Sequence, residues 1–292
     1  MHSILGNHKL TLMKKIKRRL VQQFVLSICA GAVSYTSAQE QSAASSSEDL
    51  AKQLANPVAS LISVPFQSNF DYGAGPDGDG FTYLMNFQPV TPFSISEDWN
   101  LIIRTIVPYV YQTDVFGTPG APSGSQNGFA DIVQSFFLSP KEPVGGWILG
   151  VGPVGLYPSG SDPLISSEKW GAGPTGVALK QSGGYTYGLL VNQIWSFEGA
   201  SDRDEVNQMW FQPFFSYTTK KATTATLNTE ATYKWKAEET KATIPINLML
   251  AKVVTIGSIP VQFQAGVRWY AEAPDDGPDW GWRFVITPLF PK

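Results

Sequence analysis

From Val261 to Glu272 the chain alternates with a period of two. Val261, Phe263, Ala265, Val267, Trp269 and Ala271 fall on one side, and Gln262, Gln264, Gly266, Arg268, Tyr270 and Glu272 on the other. Successive side chains of a strand point to opposite faces, so this pattern predicts a strand with one apolar and one polar face. Similar alternation recurs elsewhere. Trp99, Leu101, Ile103, Val107, Tyr109 and Tyr111 oppose Asn100, Arg104 and Gln112, and Leu227, Ala231, Tyr233 and Trp235 oppose Asn228, Glu230, Thr232 and Lys234. The pattern predicts about twelve strands after Pro57, at approximately 60–70, 81–92, 99–112, 129–139, 145–157, 169–180, 185–197, 206–218, 223–235, 240–251, 260–272 and 280–290. Each is near the roughly 9–11 residues that a tilted membrane strand needs.

The connections point the same way. Those at 71–80, 113–128 and 158–168 are long and alternate with short ones at 94–98, 181–184 and 219–222. Barrels that begin and end in the periplasm carry their long loops outside. Aromatic residues such as Trp99, Trp195, Trp235, Trp280 and Trp282 gather near predicted strand ends, as expected of girdles at a lipid–water boundary. The last strand places Trp280, Trp282, Phe284, Ile286 and Phe290 on one face. That face looks like the terminal signal read by barrel-insertion machinery, although Pro291 and Lys292 follow the last aromatic. The expected fold is all-β: a closed antiparallel transmembrane β-barrel of about 12 strands with a short N-terminal helix. A soluble all-β domain with a core of aromatics is the competing reading. Against a closed barrel stand the prolines Pro65, Pro89, Pro108, Pro153, Pro174, Pro213, Pro245 and Pro288, which fall inside the predicted strands. Proline belongs on edges or at bulges, and a closed barrel has no edge.

Composition sharpens this. Charged residues make up 15% and aromatics 13% of the chain, with a mean hydropathy of -0.08. Soluble domains are about one-quarter charged, and a helical membrane protein would need apolar runs of roughly 20 residues. A net charge of -3 with no basic stripe after residue 20 argues against nucleic acid as a partner.

Residues 1–38 read as a cleaved export signal. Lys14, Lys15, Lys17, Arg18 and Arg19 precede a short apolar run from Phe24 to Val33, and Thr36-Ser37-Ala38 suits cleavage before Gln39. The long basic region leaves Met1 and Met13 as alternative starts. Leu26-Ser27-Ile28-Cys29 resembles a lipoprotein box, but Ile28 is larger than the residue such a box uses. With the signal removed, no cysteine remains for a disulfide framework. Residues 39–57 form a Ser/Ala/Gln-rich tether leading into a helix at 48–56, capped by Ser47 and stopped by Pro57. This helix is either a plain tether or a small plug. The barrel then occupies residues 58–292.

Most catalytic chemistry is excluded. His2 and His8 are the only histidines and lie before the cleavage site. Without His or Cys, a Ser-His-Asp triad, a Cys-His nucleophile and an ordinary zinc site are all unavailable. No enzyme activity, cofactor or metal is expected. Gly150-Val151-Gly152-Pro153-Val154-Gly155 and Gly171-Ala172-Gly173-Pro174-Thr175-Gly176 match G-x-G-x-x-G. A dinucleotide fingerprint requires a following helix, and neither run has one. On strands flanking one loop, Gly150, Gly152, Gly171 and Gly173 instead predict either a smooth patch of lumen wall or a pair of glycine-tolerated bends. The strand phase directs Arg104, Asp131, Glu230, Lys234, Arg268, Glu272 and Arg283 into the lumen, as a solute site or an ion-pair network. Arg268 and Arg283 fall nearly opposite each other and need an anion between them. Acidic loop residues, Asp77, Asp79, Asp162 and Asp202 among them, are solvated loop tips or bridge divalent ions to lipopolysaccharide phosphates.

The runs Leu54-Ala55-Asn56-Pro57-Val58-Ala59-Ser60-Leu61-Ile62-Ser63-Val64-Pro65-Phe66-Gln67, Asn86-Phe87-Gln88-Pro89-Val90 and Glu97-Asp98-Trp99-Asn100-Leu101-Ile102 are distinctive. With Lys169-Trp170-Gly171-Ala172-Gly173-Pro174 and Trp282-Arg283-Phe284, they resemble a family of Gram-negative outer-membrane proteins. Its members are labelled as transporters, as resembling the outer-membrane component of meta-pathway phenol degradation, or as "neuromedin U". The resemblance implies an outer-membrane barrel that passes small, aromatic or anionic solutes. The alternative is a non-conducting structural or surface-interaction barrel with a filled lumen. Expected partners are outer-membrane lipid and lipopolysaccharide, the barrel-insertion machinery and small solutes.

Overall fold

The computed structural model describes residues 46–122, 124–238 and 241–291. The predicted export signal, with His2, His8 and Cys29, and most of the tether lie outside the described residues. Twelve antiparallel strands follow a helix, α1 (Ser47–Leu54). They are β1 (Ile62–Ser63, resuming as Phe66–Ala74), β2 (Gly80–Phe87 and Val90–Ser94), β3 (Trp99–Thr113) and β4 (Ser125–Phe129 and Ile132–Pro140). Next come β5 (Ile148–Tyr157), β6 (Lys169–Ser182), β7 (Tyr185–Gly199) and β8 (Asn207–Thr218). The last four are β9 (Thr223–Thr229 and Ala231–Lys234), β10 (Ala242–Ile256), β11 (Ile259–Glu272) and β12 (Trp280–Phe290). Each strand pairs with the next, and β12 returns to β1 through Trp280↔Tyr72, Arg283↔Asn69 and Ile286↔Phe66, so the sheet closes. The predicted first strand, 60–70, ends too early. The ladder with β2 continues to Ala74↔Gly80, which moves Asp71 from a loop into the wall.

The prolines have a consistent place in the closed wall. Pro65 and Pro89 sit in the gaps that divide β1 and β2. Pro288 pairs with Val261 of β11, while on its other side pairing with β1 lapses between Ile286↔Phe66 and Ser63↔Leu289. Pro108 likewise pairs with Asn86 of β2 and faces the gap in β4. Pro213 and Pro245 pair outward with Leu189 and Tyr270, and both face the break in β9 at Glu230. Pro153 and Pro174 face each other. A strand residue directs its N–H to one neighbour only, so a proline is tolerated where that neighbour's ladder lapses. The carbonyls still serve as acceptors. Val64 N–H donates to Pro288 O at 3.1 Å, Gln88 N–H to Pro65 O at 2.9 Å, Thr105 N–H to Pro89 O at 3.1 Å, and Ala130 N–H to Pro108 O at 3.0 Å.

The loops fall at two ends, and with the exceptions of 75–79 and 141–147 the longer ones share one end. One end carries the connections 75–79, 114–124, 158–168, 200–206, 235–241 and 273–279, and the other carries 95–98, 141–147, 183–184, 219–222 and 257–258. Eight of the nine tryptophans are exposed on the outer wall, at 40–59%. Leu189, Phe215, Leu248, Leu250 and Phe284 lie exposed beside them. An exterior this apolar has no aqueous rationale and matches the lipid-facing band of a membrane barrel. The competing reading, in which these aromatics form a soluble core, is therefore wrong.

The helix packs against the inside of the wall. Ser46, not Ser47, is the N-cap, accepting from Asp49 N–H at 3.1 Å. Lys52 pairs with Glu48 one turn away at 2.7 Å, and this hydrogen-bonded carboxylate raises the Lys52 pKa. The helix ends at Leu54, and Val58 N–H then closes a turn on Asn56 Oδ1 at 3.0 Å, across Pro57. Leu50, Ala51 and Leu61 are buried with Ala222, Val253 and Leu289 at the short-turn end. Burying Leu50 alone contributes about 1.5–3 kcal/mol. Gln181 of β6 donates to Lys52 O at 2.8 Å, Asn100 of β3 donates to Ser60 Oγ at 2.8 Å, and Val58 packs with Ile102, Phe137, Val177, Leu179 and Leu190. A segment that touches β3, β6, β10 and β12 at once can only lie within the lumen. This inner segment, residues 46–61, is hereafter the plug, a name for its place in the lumen.

Candidate functional site

The interior holds the polar halves of the alternating strands. In β11, Arg268 is buried while Trp269 on the opposite phase is exposed. Arg268 and Arg283 are offset diagonally, since their ladder partners are Gly281 and Gly266. Both converge on one acceptor of β1: Asn69 Oδ1 receives Arg268 Nη1 at 2.5 Å and Arg283 Nε at 2.7 Å. Two carboxylates offset the pair. Arg283 grips Glu230 with both nitrogens, Nη1 to Oε1 at 2.7 Å and Nη2 to Oε2 at 2.6 Å. Arg268 Nε lies 3.2 Å from Asp71 Oδ1, too misaligned for a hydrogen bond, so that contact is one of charge. Arg268 Nη2 also donates to Tyr270 Oη at 2.9 Å.

Arg104 projects from β3. Its Nη2 donates to Gln88 Oε1 at 2.8 Å, and the guanidinium lies 6.0 Å from the Trp210 ring centroid. Trp210 belongs to β8, five strands away in a barrel of twelve, so Arg104 reaches across the lumen. A cavity of about 210 Å³ lies between this charge belt and the plug. Its lining includes Gln67, Gln88, Gln212, Gln264, Asn228 and Phe214, so it offers amide donors and acceptors with a single aromatic face.

The three remaining predicted lumen charges stand apart from this belt. Lys234 and Glu272 are exposed near the long-loop end. Asp131 pins the 158–168 loop, accepting from Ser166 Oγ at 2.7 Å, Ser167 N–H at 2.7 Å and Gly160 N–H at 3.1 Å. In the same end region, the Lys236 ammonium, hydrogen-bonded to Glu205, holds that carboxyl below its ordinary pKa.

The glycine patch is not open wall. At Gly150 a Cβ would meet Val177 Cγ1 at 3.0 Å and Val58 Cγ1 of the plug at 3.3 Å. At Gly152 and Gly173 it would strike the Phe136 and Gln193 carbonyl oxygens at 1.9 and 1.8 Å. The former seats the plug, and the latter two let neighbouring backbones close in beside Pro153 and Pro174. Gly171 packs against Ile194, where a Cβ would come within 2.8 Å.

Asn69, Asp71, Gln88 and Trp210 are not among the predicted lumen residues, and Tyr270 is predicted only as part of the polar face of its strand. The alternation around Phe70 and Tyr72 does place Asn69 and Asp71 inward once β1 extends past residue 70. Trp210 carries no such signal, because Phe211, Phe214 and Phe215 make both faces of β8 aromatic. Among the described residues no group of three or more acidic, His or Cys side chains is placed to hold a metal ion.

A closed twelve-stranded barrel with an apolar aromatic exterior and a polar, plugged interior defines an outer-membrane-type β-barrel. Comparison with known proteins supports that class at the level of fold. The chain is similar to an outer-membrane channel from Pseudomonas putida F1, with a TM-score of 0.60 and 15% identity, covering 78% of this chain and 93% of that one. It is also similar to the β domain of a Bordetella autotransporter, with a TM-score of 0.46 and 10% identity over 80% and 100% of the two chains. Escherichia coli outer membrane phospholipase A gives 0.41 and 10%, over 85% and 99%. No protein-family model and no curated protein sequence matches the chain.

Proposed function

We propose that this protein is an outer-membrane channel of a Gram-negative bacterium, exported by a cleaved signal, that admits small solutes through a plugged lumen. The observation that carries this reading is the cavity of mixed amide and apolar lining between the plug and the Arg104–Glu230–Arg283 belt. A barrel needed only for structure has no use for an amide-lined chamber at its centre. The fold shared with the Pseudomonas putida channel supports the same reading, as does the family resemblance of the runs at 54–67 and 86–102, which adds aromatic compounds to the solute class. The short-turn end, where the plug sits, faces the periplasm, and the long loops face lipopolysaccharide. Insertion relies on the aromatic face of β12.

A second reading, a non-conducting barrel, is favoured by one observation: plug and ion pairs together cross the lumen from several sides. Planar-bilayer recording of the purified protein separates the two. Discrete conductance steps above the lipid baseline are expected, and a silent bilayer containing correctly folded, heat-modifiable barrel would leave the second reading standing.

A further inference from the structure

The charge belt is unbalanced. It holds three guanidiniums, Arg104, Arg268 and Arg283, against two carboxylates, Asp71 and Glu230. Arg283 occupies both oxygens of Glu230, and Arg268 has Asp71 and shares Asn69. Glu230 also acts on Arg104 through space, but its hydrogen bonds go to Arg283 and it makes no ion-pair contact with Arg104. Among the described residues Arg104 therefore has no carboxylate in ion-pair contact, and its one acceptor is the neutral Gln88 side chain. A cation withdrawn from bulk water and left without a counter-ion is costly, and the cost falls when an anion binds.

We propose that Arg104, with Gln88 and Gln212, forms a lumen site for a small amphipathic monocarboxylate. A guanidinium presents a planar fork that matches a carboxylate in a bidentate pair. Trp210 braces that fork from across the lumen, at 6.0 Å from ring centroid to Cζ. Val90 pairs directly with Arg104 in the ladder, and it lines the cavity together with Phe214 and Leu54 of the plug. These supply an apolar wall for the body of the acid. Gln88 and Gln212 provide amide donors for a second carboxylate contact. The chamber, about 210 Å³, is below the roughly 300 Å³ of pockets for drug-sized ligands, which suits a small acid. Arg268 and Arg283 are committed to structural pairs and do not take part.

This inference rests on the reading of the lumen as a solute passage, yet the two fail separately. The test is calorimetric titration of benzoate, and of the neutral aromatic analogue benzyl alcohol, into the folded full-length barrel in detergent. Benzoate is expected to bind saturably, at least tenfold more tightly than benzyl alcohol. Arg104→Gln is expected to erase that preference, and Arg104→Lys to retain part of it. Equal binding of the two probes by the unaltered protein, or unchanged benzoate affinity in a folded Arg104→Gln barrel, overturns the site. The comparison of probes decides the matter even if Arg104→Gln does not fold. A barrel that binds benzoate but never conducts keeps the site and loses the passage, whereas one that conducts without preferring benzoate loses only the site.

Discussion

Arg283 of β12 and Glu230 of β9 meet in a two-pronged ion pair at 2.6–2.7 Å, although two strands separate them in the wall. Arg283 is only 2% exposed. The partner acid sits at the break in β9, opposite Pro245 in the ladder register, where pairing to either neighbour lapses. Removing one member strands the other without a counter-charge, which typically destabilises by about 3–5 kcal/mol. Glu230→Gln is expected to lower stability by that amount in urea unfolding followed by heat-modifiable mobility. The double variant Glu230→Leu with Arg283→Met should recover much of the loss, because no orphaned charge remains.

The plug leans on Gly150, where a Cβ would come within 3.3 Å of Val58. Gly150→Leu is expected to push the 57–61 segment off the wall and raise mean single-channel conductance. Gly176→Leu, whose Cβ would meet nothing nearer than 3.7 Å, should not. Equal conductance in the two variants would mean the plug does not limit flow.

Gly152 admits no side chain, because its Cβ would lie 1.9 Å from Phe136 O. Gly152→Ala should therefore destabilise the barrel by about 1–3 kcal/mol, as overpacking does, while Gly176→Ala leaves the urea midpoint within error.

The phase of β8 puts Trp210 inside, whereas Trp269 and Trp282 face outward, at 59% and 51% exposure. In single-tryptophan variants reconstituted with brominated acyl chains, emission from Trp269 and Trp282 should be strongly quenched and that from Trp210 hardly at all. Strong quenching of Trp210 would reverse the assignment of faces.

Asp131 holds the 158–168 loop through Gly160, Ser166 and Ser167, and Arg203 adds a clasp to Pro163 O and Ser166 O, both at 2.6 Å. Asp131→Ala should leave the barrel folded but let a protease cut between residues 158 and 168 many-fold faster, read as fragments on a denaturing gel.

The sequence by itself determined the wall. A period of two is a local property of the backbone, so the alternation in 261–272 and its relatives placed nearly every strand, assigned lipid and lumen faces, and directed Arg104, Glu230, Arg268 and Arg283 inward. Composition confined histidine and cysteine to His2, His8 and Cys29, all ahead of the described residues. Pairings across the lumen were beyond it, because they depend on shear and closure, which join β9 to β12 and β3 to β8 across gaps that no local pattern encodes. The prolines show the difference most clearly. Along the chain they contradict a closed barrel, and only the three-dimensional ladder reveals that each sits in, or beside, a lapse in pairing. The same closure decided that the 46–61 segment lies inside the wall, that Glu230 belongs to Arg283, and that Arg104 is left with the unbalanced charge.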